Sequence, residues 1–284
     1  ARNPRRIALI LFTLTLVLAV MDRPLAFDAS ATNLKRVEEL KLPKKEGALR
    51  LYYSPAAEDA AAAYAAELEA AVAWYRAQLG WSGPVTMAVL DKADFAKVTR
   101  IPYPSPHTET LTGLIIMADR IDEHPGFDQW DLEPMGLNTA FTFHEIGHVI
   151  ARDLAIWSPN AWINELVANV FLAAYVRAER PQYGGFQRGL PPRFDSAGRY
   201  RRLDDFDDLY FSMGQLNYLW FQFQIARIAD YLVSDGDFRA VVEGLRREFP
   251  MAVGRRRESV KKTFERLERI RPEVTAVAAG LAGR

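Results

Sequence analysis

Two long apolar helical stretches divided by Ser158-Pro159-Asn160 constrain this chain more than any other feature. The first runs through Phe141, His144, His148 and Ile150 toward Ala155, with Asn138 or Thr139 as its cap. The second begins near Ala161 and continues to about Arg177. A break this short turns the second helix back along the first as an antiparallel pair. With the turn centred near Ser158, His148 lies ten residues before it and Glu165 seven after. That mismatch is about one helical turn, which a tilted hairpin absorbs, so Glu165 comes opposite the histidines.

On the first helix His144 and His148 are four apart and share a face, and Glu145 flanks that face. Two imidazoles in this spacing can hold one metal ion, with the adjacent glutamate as a general base. Zinc asks for a third protein ligand and one position left for water, and Glu165 is the candidate third ligand. Asn169, four residues on, shares its face and is placed to accept from the metal-remote ring nitrogen of His144. The competing reading makes Glu165 a buried carboxylate paired with Arg152. Asp153 as a ligand is a further variant, but it sits too close to His148 on the same helix.

The chain contains no cysteine, so disulfides, thiolate zinc knuckles and a cysteine nucleophile are all excluded. Any metal here is held by His, Asp or Glu. Lys plus Arg and Asp plus Glu each number 36, which leaves no net field to attract nucleic acid. At 284 residues and 49% hydrophobic content, the chain can bury a large core in one domain or in two lobes sharing a cleft.

Residues 1–31 read as a signal peptide or N-terminal anchor. Arg2, Arg5 and Arg6 precede an apolar run from Ile7 to Met21, and small residues follow at Ala29-Ser30-Ala31. The expected location is therefore exported: periplasmic, secreted or membrane-anchored, with membrane association through this segment. Residues 32–135 read as an α/β lobe. After a charged linker at 41–46, a strand over 48–53 leads to a long amphipathic helix over 56–79, closed by Gly80. A second strand over 84–90, a short helix over 94–98 and a third strand over 113–117 follow. That third strand either presents an open edge to an extended peptide or is a core strand. Prolines make 101–107 an extended loop, and His107 and His124 read as surface histidines.

Residues 136–284 read as the helical, zinc-binding lobe. From Pro181 to Asp208 the chain lacks helical periodicity and is taken as a cleft border. An aromatic helix follows, carrying Tyr210, Phe211, Gly214, Tyr218, Trp220, Phe221 and Phe223, and two amphipathic helices lie near 237–248 and 258–270. The fold class is α+β: a small mixed sheet with a covering helix, then a mainly helical lobe.

His144-Glu145-x-x-His148 followed by Asn164-Glu165-x-x-x-Asn169 resembles the gluzincin metallopeptidases, and the Trp162-x-Asn164-Glu165 start resembles their bacterial peptidase MA-like branch. The resemblance is specific over about residues 110–175. It implies a thermolysin-like zincin core with the cleft between the lobes, Zn2+ on His144, His148 and Glu165, and Glu145 as general base. The stretch Tyr210-Phe211-Ser212-Met213-Gly214 is similar to one that sets a tyrosine on the oxyanion, which implies that role for Tyr210. The metzincin pattern is absent, since Ala151 and Leu154 stand where its glycine and third histidine would be. The expected function is zinc-dependent hydrolysis of peptide bonds in a peptide or protein substrate. The alternatives are a zinc hydrolase acting on a non-peptide amide or ester, and a non-catalytic envelope binding or assembly module with structural zinc.

Overall fold

The computed structural model describes residues 32–120, 137–185, 198–252 and 254–279. The N-terminal segment 1–31 and His124 lie outside the described residues. Residues 33–284 cluster as one unit. Among the described residues no helix is long and apolar enough to cross a membrane.

The chain is a mixed α+β protein. Its five-stranded sheet has the order β1-β2-β3-β5-β4, with β1 at Lys44–Glu46, β2 at Arg50–Tyr53, β3 at Thr86–Leu90, β4 at His107–Glu109 and β5 at Leu114–Ala118. The three central strands run parallel, and β1 and β4 add to the two sides antiparallel. Every residue of β5 is buried, as befits a strand covered on both faces.

Strand β5 therefore takes the core alternative, because β3 and β4 pair with both of its edges. The outermost strand on that side is β4, which begins at His107, the last residue of the expected loop. The linker at 41–46 is likewise corrected: its charged residues form β1, which tolerates them because all three are exposed at the sheet's edge.

Helices cover both faces of the sheet. The first is α1 at Asn33–Glu39, the second α2 at Glu58–Leu79 and the third α3 at Lys92–Val98. Helix α2 buries Ala61, Ala65, Leu68, Val72 and Tyr75, one apolar stripe at helical spacing, and ends where Gly80 adopts φ 65° and donates its N–H to the Arg76 carbonyl. Helix α3 starts under Asp91, whose carboxylate accepts from the Asp94 N–H.

The histidine helix, α4, spans Leu137–Asp153, and the returning helix, α5, spans Ala161–Glu179. Asn138 and Thr139 fall within the first turn of α4 and do not precede it. Helix α5 is buried on almost every side from Trp162 to Val176, so it is the central element of the helical half. Against it lie α6 at Leu203–Leu209, α7 at Gln215–Leu232, α8 at Phe238–Glu248 and α9 at Val260–Glu268, and the short α10 at Val274–Val277 packs on α7 and α9.

Two expectations change here. Among its described residues the segment 181–208 contains a 3-10 turn at Pro181–Tyr183 and most of α6, whose acidic run Asp204, Asp205, Asp207, Asp208 masks the buried pair Leu203 and Phe206. The aromatic helix begins only at Gln215, because Gly214 takes φ 83° and ends the preceding turn. Tyr210 and Phe211 therefore sit in the α6–α7 turn.

Candidate metal centre

The hairpin that builds the site is held by polar groups at its bend. Asn164 closes the turn in both directions, accepting from the Ser158 N–H at 2.9 Å and donating to the Ser158 carbonyl at 2.8 Å. The first turn of α5 has no cap from Asn160 itself; Asp207 of α6 accepts from the Trp162 N–H at 3.2 Å and from the Asn160 amide at 2.7 Å. Burial lifts the Asp207 carboxyl above its ordinary range, against the pull of those donors. At the crossing, a Cβ on Gly147 would lie 2.8 Å from the Ala168 carbonyl oxygen, so the absent side chain is what lets α4 and α5 close up.

That close approach brings Glu165 to the two histidines. Glu165 Oε2 lies 3.1 Å from His144 Nε2 and 3.8 Å from His148 Nε2, and the two Nε2 atoms are 3.2 Å apart. Among the described residues these three form a group whose ligand atoms all lie within 4.8 Å of one another. A tetrahedral zinc with bonds of about 2.0–2.1 Å has ligand atoms roughly 3.3 Å apart, so the three edges fit one shared ion. His144 and Glu165 are buried and His148 is half-buried, open toward the cleft.

The electrostatics suit a ligand set. Burial of His148 holds its imidazolium pKa down at about 4, against the attraction of Glu165, so the ring is neutral near pH 7. Burial alone would raise Glu165, but His144, His148 and Tyr210 together hold it well below the carboxylate range and it is ionised. For His144 burial works downward, yet the hydrogen bond and charge of Glu165, with help from Glu145 and Asn169, leave it above its ordinary value. Glu145 is raised to about 7, chiefly by burial.

Glu145 is tied to the sheet. Thr108 of β4 places its hydroxyl 2.8 Å from Glu145 Oε2 and 3.0 Å from the Glu145 carbonyl oxygen. His107 and Glu109 point the other way along the strand. The His107 ring packs edge-on to Phe95 of α3, and the Glu109 carboxylate accepts from the Asn33 N–H of α1. His107 is thus no free surface histidine: burial lowers its pKa to about 4, its Nδ1 lies 3.2 Å from the Ser105 carbonyl, and its Nε2 is buried without a partner.

The other predicted residues meet at Glu165. The Tyr210 hydroxyl donates to Glu165 Oε1 at 2.5 Å, and the Tyr218 hydroxyl lies 3.2 Å from Oε2. Burial and the Glu165 charge push both phenols well above their usual value, so both stay protonated donors. Asn169 donates its amide to the Glu165 carbonyl and to Gln222 Oε1, each at 2.9 Å, while its Oδ1 is buried and makes no hydrogen bond. Gln222, which the aromatic composition of α7 hid, donates to Glu165 Oε2 at 2.6 Å and to the Tyr218 oxygen at 2.7 Å. Arg152 and Asp153 stand outside this cluster: they pair with each other at 2.6 Å, and Asp153 also accepts from the Trp81 indole at 3.0 Å.

A cleft of about 470 Å³ opens over His144, Glu145, His148 and Glu165, bordered by Thr108 on the sheet side and by Tyr210 and Phe211 on the helical side. Beside it lies a pocket of about 590 Å³ whose walls include Ile101, Pro102, Phe141, Leu172 and Leu219. No family model matches the chain, and neither a curated protein nor a solved structure matches it.

Proposed function

We propose that this chain is a zinc-dependent metallopeptidase of the gluzincin type, with a thermolysin-like core and with His144, His148 and Glu165 as its metal ligands. The observation that carries the reading is the meeting of three elements in one cleft: three converging ligand atoms, a carboxylate on the adjacent residue, and the edge strand β4. A purely structural zinc site has no use for Glu145 beside an open coordination position. A bound zinc supplies Lewis acidity and makes its water acidic enough to deprotonate near neutral pH.

The chain's own residues do the rest. Glu145, held by Thr108, accepts the proton of the attacking water and passes it to the leaving amine. Tyr210 releases Glu165 Oε1 and donates to the developing oxyanion, a role for which its hydroxyl stays protonated. An extended peptide lies along β4, and an apolar side chain next to the scissile bond enters the pocket beside His144. The basic and apolar order of residues 2–31 supports an exported enzyme.

The test is cleavage of a mixed peptide library by the zinc-loaded protein, by Glu145→Gln and by Tyr210→Phe, read by mass spectrometry. Cleavage lost in Glu145→Gln with zinc still bound, and slowed in Tyr210→Phe, is the expected result. Cleavage that persists in Glu145→Gln removes the base assignment, and unchanged turnover in Tyr210→Phe removes the oxyanion role. A wild-type protein that holds zinc and cuts no peptide, while hydrolysing an ester or a non-peptide amide, removes the peptidase reading.

A further inference from the structure

We infer that Gln222 is a positioning residue for the metal ligand Glu165, and that it acts as one unit with Asn169 to set the affinity of the site for zinc. The inference rests on the reading of His144, His148 and Glu165 as zinc ligands.

Each oxygen of an ionised glutamate offers two lone-pair directions. Glu165 Oε2 is the oxygen facing the histidines, at 3.1 and 3.8 Å, and the Gln222 amide reaches that same atom at 2.6 Å. Of the two donors to Oε2 the Gln222 amide is the closer, the Tyr218 hydroxyl standing at 3.2 Å, so Gln222 is the shorter tie that sets how this oxygen faces the imidazoles. Without that bond the last side-chain torsion, which is broad and roughly two-fold for glutamate, is held by the two tyrosine hydroxyls alone.

Gln222 is itself held on both ends. Its second amide hydrogen goes to the Tyr218 oxygen at 2.7 Å, and its carbonyl accepts from Asn169 at 2.9 Å. Asn169 closes the loop by donating to the Glu165 main-chain carbonyl at 2.9 Å. Glu165, Gln222 and Asn169 therefore form a ring of hydrogen bonds that fixes the carboxylate and the backbone of the same residue. All three side chains are buried, so water does not replace a lost member.

The same ring sets the orientation of Asn169. Both of its amide hydrogens are committed, one to the Glu165 main-chain carbonyl and one to Gln222. Gln222 so acts on Glu165 twice, directly on Oε2 and through Asn169 on the backbone of the same residue.

The experiment measures zinc affinity of the full chain by competition with a chromophoric chelator, with no need for a substrate. Gln222→Met keeps the volume and removes the hydrogen bonds; loss of partners around a metal ligand weakens binding by about 10–100-fold. Co2+ loaded into the variant should also show shifted visible bands, since these report ligand geometry. In the Gln222→Met background, Asn169→Leu should cost less affinity than it does alone, as expected for two members of one network. If Gln222→Met does not fold, Gln222→Asn, which withdraws the amide by one methylene, carries the same expectation. Wild-type zinc affinity in either folded variant, or strict additivity with Asn169→Leu, overturns the inference. Failure of the wild-type protein to bind zinc at all would instead remove the metal reading beneath it.

Discussion

The Ala168 carbonyl oxygen of α5 lies 2.8 Å from where a side chain on Gly147 of α4 would begin, and the Ala168 Cα lies 2.9 Å from the same point. Both contacts are with backbone, which cannot swing aside, so the helices must separate to admit even a methyl group. Gly147→Ala is expected to destabilise the fold by about 1–3 kcal/mol, measured by urea unfolding of the metal-free protein. Because the same crossing sets the distance from His144 to Glu165, zinc affinity should fall as well. An unchanged unfolding midpoint and unchanged zinc binding would show that α4 and α5 can part without cost.

Zinc is expected to raise the melting temperature in a concentration-dependent way, since on the proposed reading it binds His144, His148 and Glu165 as they converge in the folded chain and not in the unfolded one. His148→Ala and Glu165→Ala should each abolish that rise. Arg152→Ala should keep it, because Arg152 is occupied by Asp153. Binding near pH 6.5 should also release protons, as His144 is held above its ordinary pKa by Glu165 and gives up its proton to bind metal. Calorimetry in buffers of different ionisation enthalpy reads that release directly.

The metal-free protein should respond to pH in two opposed ways. Folding raises Glu145 from 4.5 to about 7, so the folded state holds that proton more tightly, and the associated stability is present below pH 4.5 and lost as pH rises toward 7. Folding lowers His148 from 6.5 to about 4, so its contribution is present above pH 6.5 and lost as pH falls toward 4. Glu145→Gln should therefore be more stable than wild type at pH 8 by about 3 kcal/mol, with the difference gone by pH 4.5. Urea titrations across that range, with chelator present, test this; a constant difference at every pH would rule out the burial of an ionised Glu145 as its cause.

Asp207 caps α5 from another helix, and Glu165 sits little more than one turn into α5. Asp207→Ala should cost about 1–2 kcal/mol, the usual loss for a helix cap. Asp208, one residue on, makes an exposed ion pair with Arg257, so Asp208→Ala should have almost no effect. Comparing the two by thermal unfolding separates capping from the general acidity of the segment; equal effects would assign no cap to Asp207.

The central hairpin was legible because its signals are local. His144, Glu145 and His148 lie within one helical turn and a half, and Ser158-Pro159-Asn160 fixes where the second helix starts, so Glu165 follows by counting. Strand β4 was not, because Pro102, Pro104 and Pro106 lead straight into it and its three residues carry no apolar alternation. Its strand character comes from pairing with β5, a partner that a short window does not contain. Gln222 was hidden for a similar reason. Between Phe221 and Phe223 it reads as a polar interruption of a core helix, and its partner Glu165 is 57 residues away. Asp207 is one of four acids in a run, and only the position of α5 distinguishes it from its neighbours. Local periodicity recovers elements; which polar side chain serves which helix depends on how they dock.

The polar cluster around Glu165 draws on α4, α5 and α7, and Gln222 comes 78 residues after His144, its first histidine. A chain emerging in order from its amino end has both histidines and the ligand carboxylate well before it has the amide that orients that carboxylate. Until α7 docks, Glu165 lacks Tyr218 and Gln222, and a nascent or half-folded chain carries the ligands in a disarmed arrangement. Competence at the proposed metal centre is therefore expected late in folding, gated by closure of the contact between Gln222 and Glu165 across 57 residues.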